Sequence, residues 1–255
     1  MAYQIKALGV GGILDQAIAV TKANFGLLFG IVAVVILPVQ LVQGFLPLAL
    51  AGQDLQTVAI ANILMVIASA FFVFPISNAA IIYAVSERYL GRDTTFGEAV
   101  KFGTTQIGPL LWTTILLVLA ISGGFILLII PGILFGLWFG LSQEVVVLEG
   151  ITGTKALGRS KTLVRPNLGT FLILSLILGV VGWLLGASVG TIPEPYTRIV
   201  AICLMQSVLT MFGLVATVIY YFSCRCKVEN FDLEHLAASI GEAAPTANEP
   251  TVADE

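Results

Sequence analysis

Charge is scarce in this chain. Asp, Glu, Lys and Arg make up 11% of its 255 residues, while 58% are hydrophobic and the mean hydropathy is +1.00. Soluble domains carry about a quarter charged residues. Too little polar surface remains to cover a water-soluble globule, so the composition points to a membrane protein. Histidine occurs once, at His235, and cysteine three times, at Cys203, Cys224 and Cys226. Three thiols cannot form an even disulfide framework, and they read as reduced. Cys224-x-Cys226 with His235 offers at most three ligands at irregular spacing, where structural zinc takes four, so no metal site is expected; palmitoylation of these thiols is the alternative. Activated-nucleophile motifs, phosphate-cradling glycine loops and HExxH-like pairs are missing, as is a basic patch for nucleic acid. An enzyme would have almost no acid/base residues to work with, so neither catalytic nor cofactor-binding residues are expected, and no cofactor. The first apolar stretch follows an amphipathic segment holding Asp15 and Lys22, with no small-residue cleavage pattern, which argues against a cleaved signal peptide.

What is present in abundance is apolar sequence in long runs. A bilayer core of about 30 Å takes roughly 20 apolar helical residues per crossing. Five windows qualify, and the third, Pro109 to Leu148, would form a helix about twice that thickness. It must fold back, at Gly123-Gly124 or at Pro131-Gly132. The sequence therefore predicts an all-α polytopic membrane protein with six spans, near 25–50, 57–86, 109–130, 132–148, 168–190 and 199–222, and short amphipathic interfacial helices between some of them. Residues 1–236 form the membrane domain. The tail 237–255, acidic and containing Pro245 and Pro250, is expected to be disordered.

Basic residues test this count independently, because Lys and Arg accumulate in cytoplasmic loops. With six spans, Lys6, Lys22, Arg88, Arg92, Lys101, Lys155, Arg159, Lys161, Arg165, Arg225 and Lys227 share one side, and Arg198 alone lies opposite. A single crossing by the third window would scatter them. Both termini are thus expected in the cytosol of a multi-pass cell-membrane protein.

An internal pattern recurs three times. Ala17 precedes Asn24-Phe25-Gly26, Ala99 precedes Gln106-Ile107-Gly108, and Ala156 precedes Asn167-Leu168-Gly169. The third copy carries four extra residues, about one helical turn. Three parallel units follow, each an amphipathic helix and two spans; chance amphipathicity of polar linkers is the alternative. In the third copy Ala156, Leu157, Ser160, Leu163 and Val164 fall on one side, opposite basic residues. Such a helix is expected to rest in the interface, with Lys155, Arg159, Lys161 and Arg165 as a lipid-facing basic set for an anionic leaflet.

Glycines at four-residue spacing, Gly132, Gly136 and Gly140 in span four and Gly182, Gly186 and Gly190 in span five, are expected to let helices pack at backbone distance, within the chain or between copies. Pro38 and Pro75 should kink spans one and two, with Ser77 and Asn78 either bonding freed carbonyls or lining a polar path. The central layer of the spans holds no ionisable side chain. Glu144 comes nearest, separated from the loop only by Val145 to Leu148, and is expected to snorkel outward; a buried functional carboxylate is the alternative.

Two stretches carry a resemblance. Glu149-Gly150, Lys155-Ala156-Leu157-Gly158-Arg159-Ser160 with Leu163-Val164, and the run from Tyr221 to Glu234 are similar to motifs of a large prokaryotic family that includes the glycerophosphodiester phosphodiesterase membrane domain. Ser223 stands where that closing motif usually has aspartate, and Asn230 where it has glycine. The resemblance implies a six-helix membrane protein of largely uncharacterised activity, without the phosphodiesterase domain. Glu149, Arg159, Arg225, Glu229 and Asp232 all fall at one membrane face, where a salt-bridged cytosolic collar, or separately solvated charges, can result. The expected function is a non-enzymatic scaffold or assembly component, with membrane-protein partners or a second copy. A carrier or channel for a lipid or small molecule is the second reading.

Overall fold

A computed structural model describes residues 6–229. Their regular elements are all helical, and six helices are long and apolar enough to cross a membrane, so the chain is an all-α polytopic membrane protein. The expected disordered tail, with Asn230, Asp232 and His235, lies outside the described residues.

In chain order, α1 (Val10–Ala23) precedes the first span α2 (Phe25–Ala49) and the second span α3 (Leu55–Tyr89). Then α4 (Phe96–Thr105) precedes the third span α5 (Ile107–Leu127), and the fourth span is broken into α6 (Ile129–Trp138) and α7 (Ser142–Glu149). Finally α8 (Gly153–Val164) precedes α9 (Leu168–Gly190) and α10 (Pro195–Glu229). The fold-back of the long third window comes at Leu128, whose backbone is extended (φ −166°, ψ 154°), between the two expected breakers. Both breakers serve the crossing instead. A Cβ on Gly124 would stand 2.9 Å from the Gly132 Cα, and one on Gly132 would meet the Phe125 ring at 2.5 Å, so α5 and α6 approach at backbone distance.

The threefold pattern has a structural counterpart. α1, α4 and α8 each bury their marker alanine, Ala17, Ala99 and Ala156, completely. Each then stops at a residue near the bridge region: Asn24 (φ −119°, ψ 21°), Gln106 (φ −92°, ψ 0°) and Asn167 (φ −116°, ψ 17°). The third copy takes up its additional residues with a 3-10 turn, Arg165–Asn167. One expectation is corrected here. The apolar stripe of α8 does not face lipid: Ala156, Leu157, Ser160, Leu163 and Val164 are buried against protein, where α8 meets α5, α6, α7 and α10. The cause is the break in the fourth span, which frees backbone groups that hydrocarbon cannot pair. The Ser160 hydroxyl donates to the Trp138 carbonyl (2.9 Å) and accepts from the Leu141 N–H (3.1 Å), so α8 closes the gap.

Proline shapes the first two spans in a common way. A π-turn over Val32–Ile36 ends two residues before Pro38, and another over Ser69–Val73 ends two residues before Pro75. The extra residue of each wide turn makes room for the proline ring, which lacks an N–H to continue the ladder. Ser77 donates to the carbonyls of Val73 and Phe74 (2.9 and 3.1 Å), whereas Asn78 turns away and donates to Gln143 Oε1 of α7 (2.8 Å).

The core lies toward the face that holds Asn24, Gln106 and Asn167, called the basic face below. α10 is its mast, packing on α1, α2, α3 and α9 and meeting α7 and α8 at its C-terminal end. Its buried positions follow a four-residue step from Cys203 through Ser207, Met211 and Val215, and then become nearly continuous to Cys224. A helix buried along one stripe in its first half and nearly all round in its second requires such an asymmetric bundle.

Candidate functional site: a charged network at the basic face

Glu149 ends α7, and Gly150 follows with φ +67°, the left-handed conformation that lets the chain leave a helix abruptly. Gly153, at φ +65°, opens α8, and its N–H donates to Thr113 Oγ1 (2.8 Å). A Cβ there would meet the Trp112 indole at 2.9 Å, so only glycine fits. These two turns bring Arg159 of α8 back over the end of α7. On α10, Tyr221, Arg225 and Glu229 are spaced by four and share one face.

The five side chains close a ring. Arg159 Nε donates to Glu149 Oε2 (2.8 Å), and its terminal nitrogen pairs with Glu229. Glu229 accepts from Arg225 Nε (2.9 Å). The Arg225 guanidinium lies 5.9 Å from the centre of the Tyr221 ring, and the Tyr221 hydroxyl donates to the other Glu149 oxygen (2.8 Å). Two carboxylates and two guanidiniums cancel in charge. Glu149 ends its helix, where the macrodipole disfavours a carboxylate, and Arg159 offsets this. The Glu149 side chain is only 13% exposed, so the ring is shielded more than an ordinary surface pair, which contributes at most about 1 kcal/mol.

Of the expected collar, Glu149, Arg159, Arg225 and Glu229 thus meet, and Asp232 lies outside the described residues. Tyr221 is the member that charge counting misses; its spacing of four from Arg225 is the signal. The basic set of α8 divides. Arg159 is held in the ring and Lys161 sits over the Trp138 ring (4.4 Å to its centre), while Lys155 and Arg165 are exposed. Ser223 is buried and ties the first described residues to the mast: its hydroxyl accepts from the Leu8 N–H (2.8 Å) and donates to the Leu8 carbonyl (3.3 Å). Cys203, Cys224 and Cys226 are buried and form no disulfide, and no cluster of three metal-ligating side chains occurs among the described residues.

A further expectation is corrected. Glu144 does not snorkel; it is 2% exposed, with one oxygen lacking a partner among the described residues, because α7 is enclosed by α3, α5, α8 and α10. The glycine triplets also behave differently from each other. Gly132 and Gly140 are contact points, the latter under the Phe171 ring, but Gly136 faces open space. Gly182, Gly186 and Gly190 support no backbone-distance packing within the chain: a Cβ on Gly182 would make only ordinary contact, 3.7 Å from Leu209, and the other two meet nothing. Met205 and Leu209 stand across from them, leaving a groove of about 450 Å³ between α9 and α10. Close approach occurs instead at isolated glycines, Gly44 against Ile199 and Gly103 against the Ile76 carbonyl.

Architecture and network together define a six-span all-α membrane protein with an ion-paired face. Residues 105–248, more than half of the chain, match the family model described as a domain of unknown function, DUF8558, and the chain belongs to that family. No curated protein and no solved structure matches the chain.

Proposed function

We propose that the protein is a non-enzymatic scaffold or assembly component of the cell membrane, with both termini in the cytosol and its basic face as the working surface. The observation that carries this reading is the closed Glu149–Arg159–Glu229–Arg225–Tyr221 ring, which joins α7, α8 and α10 into one pre-organised platform. A rigid, polar face at the end of a lipid-embedded bundle suits docking of another protein, because little ordering entropy remains to be lost on binding. Around it Lys155 and Arg165 are exposed, and each basic side chain near an anionic leaflet contributes about 1 kcal/mol. Anionic lipid is therefore the proposed partner at this face, and the same motifs support placing the chain with the prokaryotic family that includes the glycerophosphodiester phosphodiesterase membrane domain.

The test compares wild type with Arg159→Ala after solubilisation in mild detergent. Stoichiometric membrane-protein partners should co-purify with the wild type and be lost from the variant, while purified protein in liposomes should leave fluorescent phospholipid in its original leaflet. Fast exchange of that lipid between leaflets would overturn the scaffold. It would favour a lipid carrier, a reading supported by the paired π-turns and prolines of α2 and α3.

A further inference from the structure

A small notch of about 40 Å³ opens beside the second π-turn, between α3, α5 and α7. Its polar lining comes from Asn78, Thr114 and Gln143, and its wall includes Ala70 and Pro75. Ala70 and Phe74 are exposed on the outer surface of α3, so the notch opens sideways, toward lipid. Thr114 lies seven residues into α5, and Gln143 six residues before the end of α7. Both spacings put the notch about 10 Å below the basic face. The polar interfacial region occupies roughly 5–8 Å on each side of a bilayer, so at this level it gives way to hydrocarbon.

The lining is incompletely paired. Asn78 Nδ2 donates to Gln143 Oε1, which leaves the Asn78 carbonyl oxygen as an acceptor and the Gln143 amide nitrogen as a donor; exchanging oxygen and nitrogen in both amides leaves the same two roles free. Neither group, nor the Thr114 hydroxyl, has another partner among the described residues. Pro75 has no N–H, so a carbonyl one turn earlier, beside Ala70, also lacks its helical donor. Hydrocarbon satisfies none of these groups, and leaving them unpaired in lipid is costly. Whatever covers the notch must both donate and accept hydrogen bonds. It is uncharged, because no ionisable side chain lines the notch, and small, because 40 Å³ admits a hydroxyl and its carbon but not a hydrated phosphate headgroup.

We propose that this notch is a lateral site for the free hydroxyl of an uncharged lipid, a diacylglycerol-type molecule, in the leaflet at the basic face. The hydroxyl donates to the Asn78 oxygen and accepts from both Gln143 and Thr114, while the acyl chains lie along the exposed apolar side of α3. This site is independent of the scaffold reading and stands or falls by itself.

The experiment uses the full chain in phosphatidylcholine nanodiscs, with a photoactivatable diacylglycerol and a phosphatidylcholine probe carrying the same photoactive acyl chain. The diacylglycerol probe should label peptides around Asn78 and Thr114 at least fivefold more than the phosphatidylcholine probe, and unlabelled diacylglycerol should displace it. Asn78→Leu with Gln143→Leu should reduce labelling at least fivefold. Thr114→Val, which keeps the side-chain shape, should reduce it two- to threefold without shifting the melting temperature, so loss of binding is separable from loss of fold. Equal labelling by both probes, or labelling undiminished in Thr114→Val, would mean annular lipid or trapped water, and either outcome overturns the site.

Discussion

Among single residues, Glu144 and the pair Glu149 and Arg159 put opposite demands on the fold. Glu144 is buried with one oxygen unpartnered, and a buried carboxylate without full pairing is costly. Glu144→Gln keeps the shape and removes the charge, so the melting temperature in detergent should rise, by the equivalent of about 1 kcal/mol. A fall of that size would show that the bundle depends on the ionised form. Glu149 and Arg159 are bonded partners within a closed ring, so their losses should not add. Glu149→Gln and Arg159→Gln should each destabilise by about 1–3 kcal/mol, with the double variant costing clearly less than the sum of the two. Strict additivity in thermal melts would contradict the ring.

The elements owe their placement to how each amphipathic helix is held. α8 is locked by Ser160 across the break in the fourth span, and Ser160→Ala strands the Leu141 N–H and the Trp138 carbonyl together. Two buried groups at about 1–3 kcal/mol each predict a loss larger than that of any exposed α8 variant, read as faster hydrogen exchange over 139–141. α4 is held differently, by a capping box in which Thr95 and Glu98 bond each other's backbone N–H groups. The Thr95 backbone and hydroxyl hold the Glu98 carboxyl below its ordinary value of 4.5. A depressed carboxylate contributes stability above its unfolded pKa and loses it as pH falls through the folded value. The melting-temperature difference between wild type and Thr95→Ala should therefore be full at pH 7 and shrink from pH 4.5 downward; a difference independent of pH would refute the ionised box.

At the scale of the whole molecule, eleven of the 12 basic residues share one side of the six spans. With Cys203, Cys224 and Cys226 replaced by serine or alanine, a cysteine at Thr191 should react with impermeant reagents in intact cells, and one at Lys155 only after lysis. The replacement matters because all three native thiols are buried. Reaction at Lys155 from outside would invert the orientation proposed for this protein.

Spans, their number and the sidedness of charge were legible in the sequence, because crossing a bilayer imposes a length and an apolarity that local composition reports directly. The threefold recurrence and the grouping of Ala156, Leu157, Ser160, Leu163 and Val164 on one side of α8 were legible too, since helical periodicity tells which residues share a side. Periodicity cannot tell what that side touches. Whether Leu163 and Val164 meet lipid or protein, whether Gly186 packs or stays open, and whether Glu144 reaches water were decided by which helix stands opposite, and both solvents of an apolar stripe, lipid and protein core, look alike in composition. Tyr221 likewise joins Glu149 across 72 residues of sequence only because α7 packs against the mast, and Arg159 meets them because two left-handed glycines turn α8 back over α7. Long-range pairings of this kind depend on the geometry of breaks and turns, and only the assembled bundle determines them.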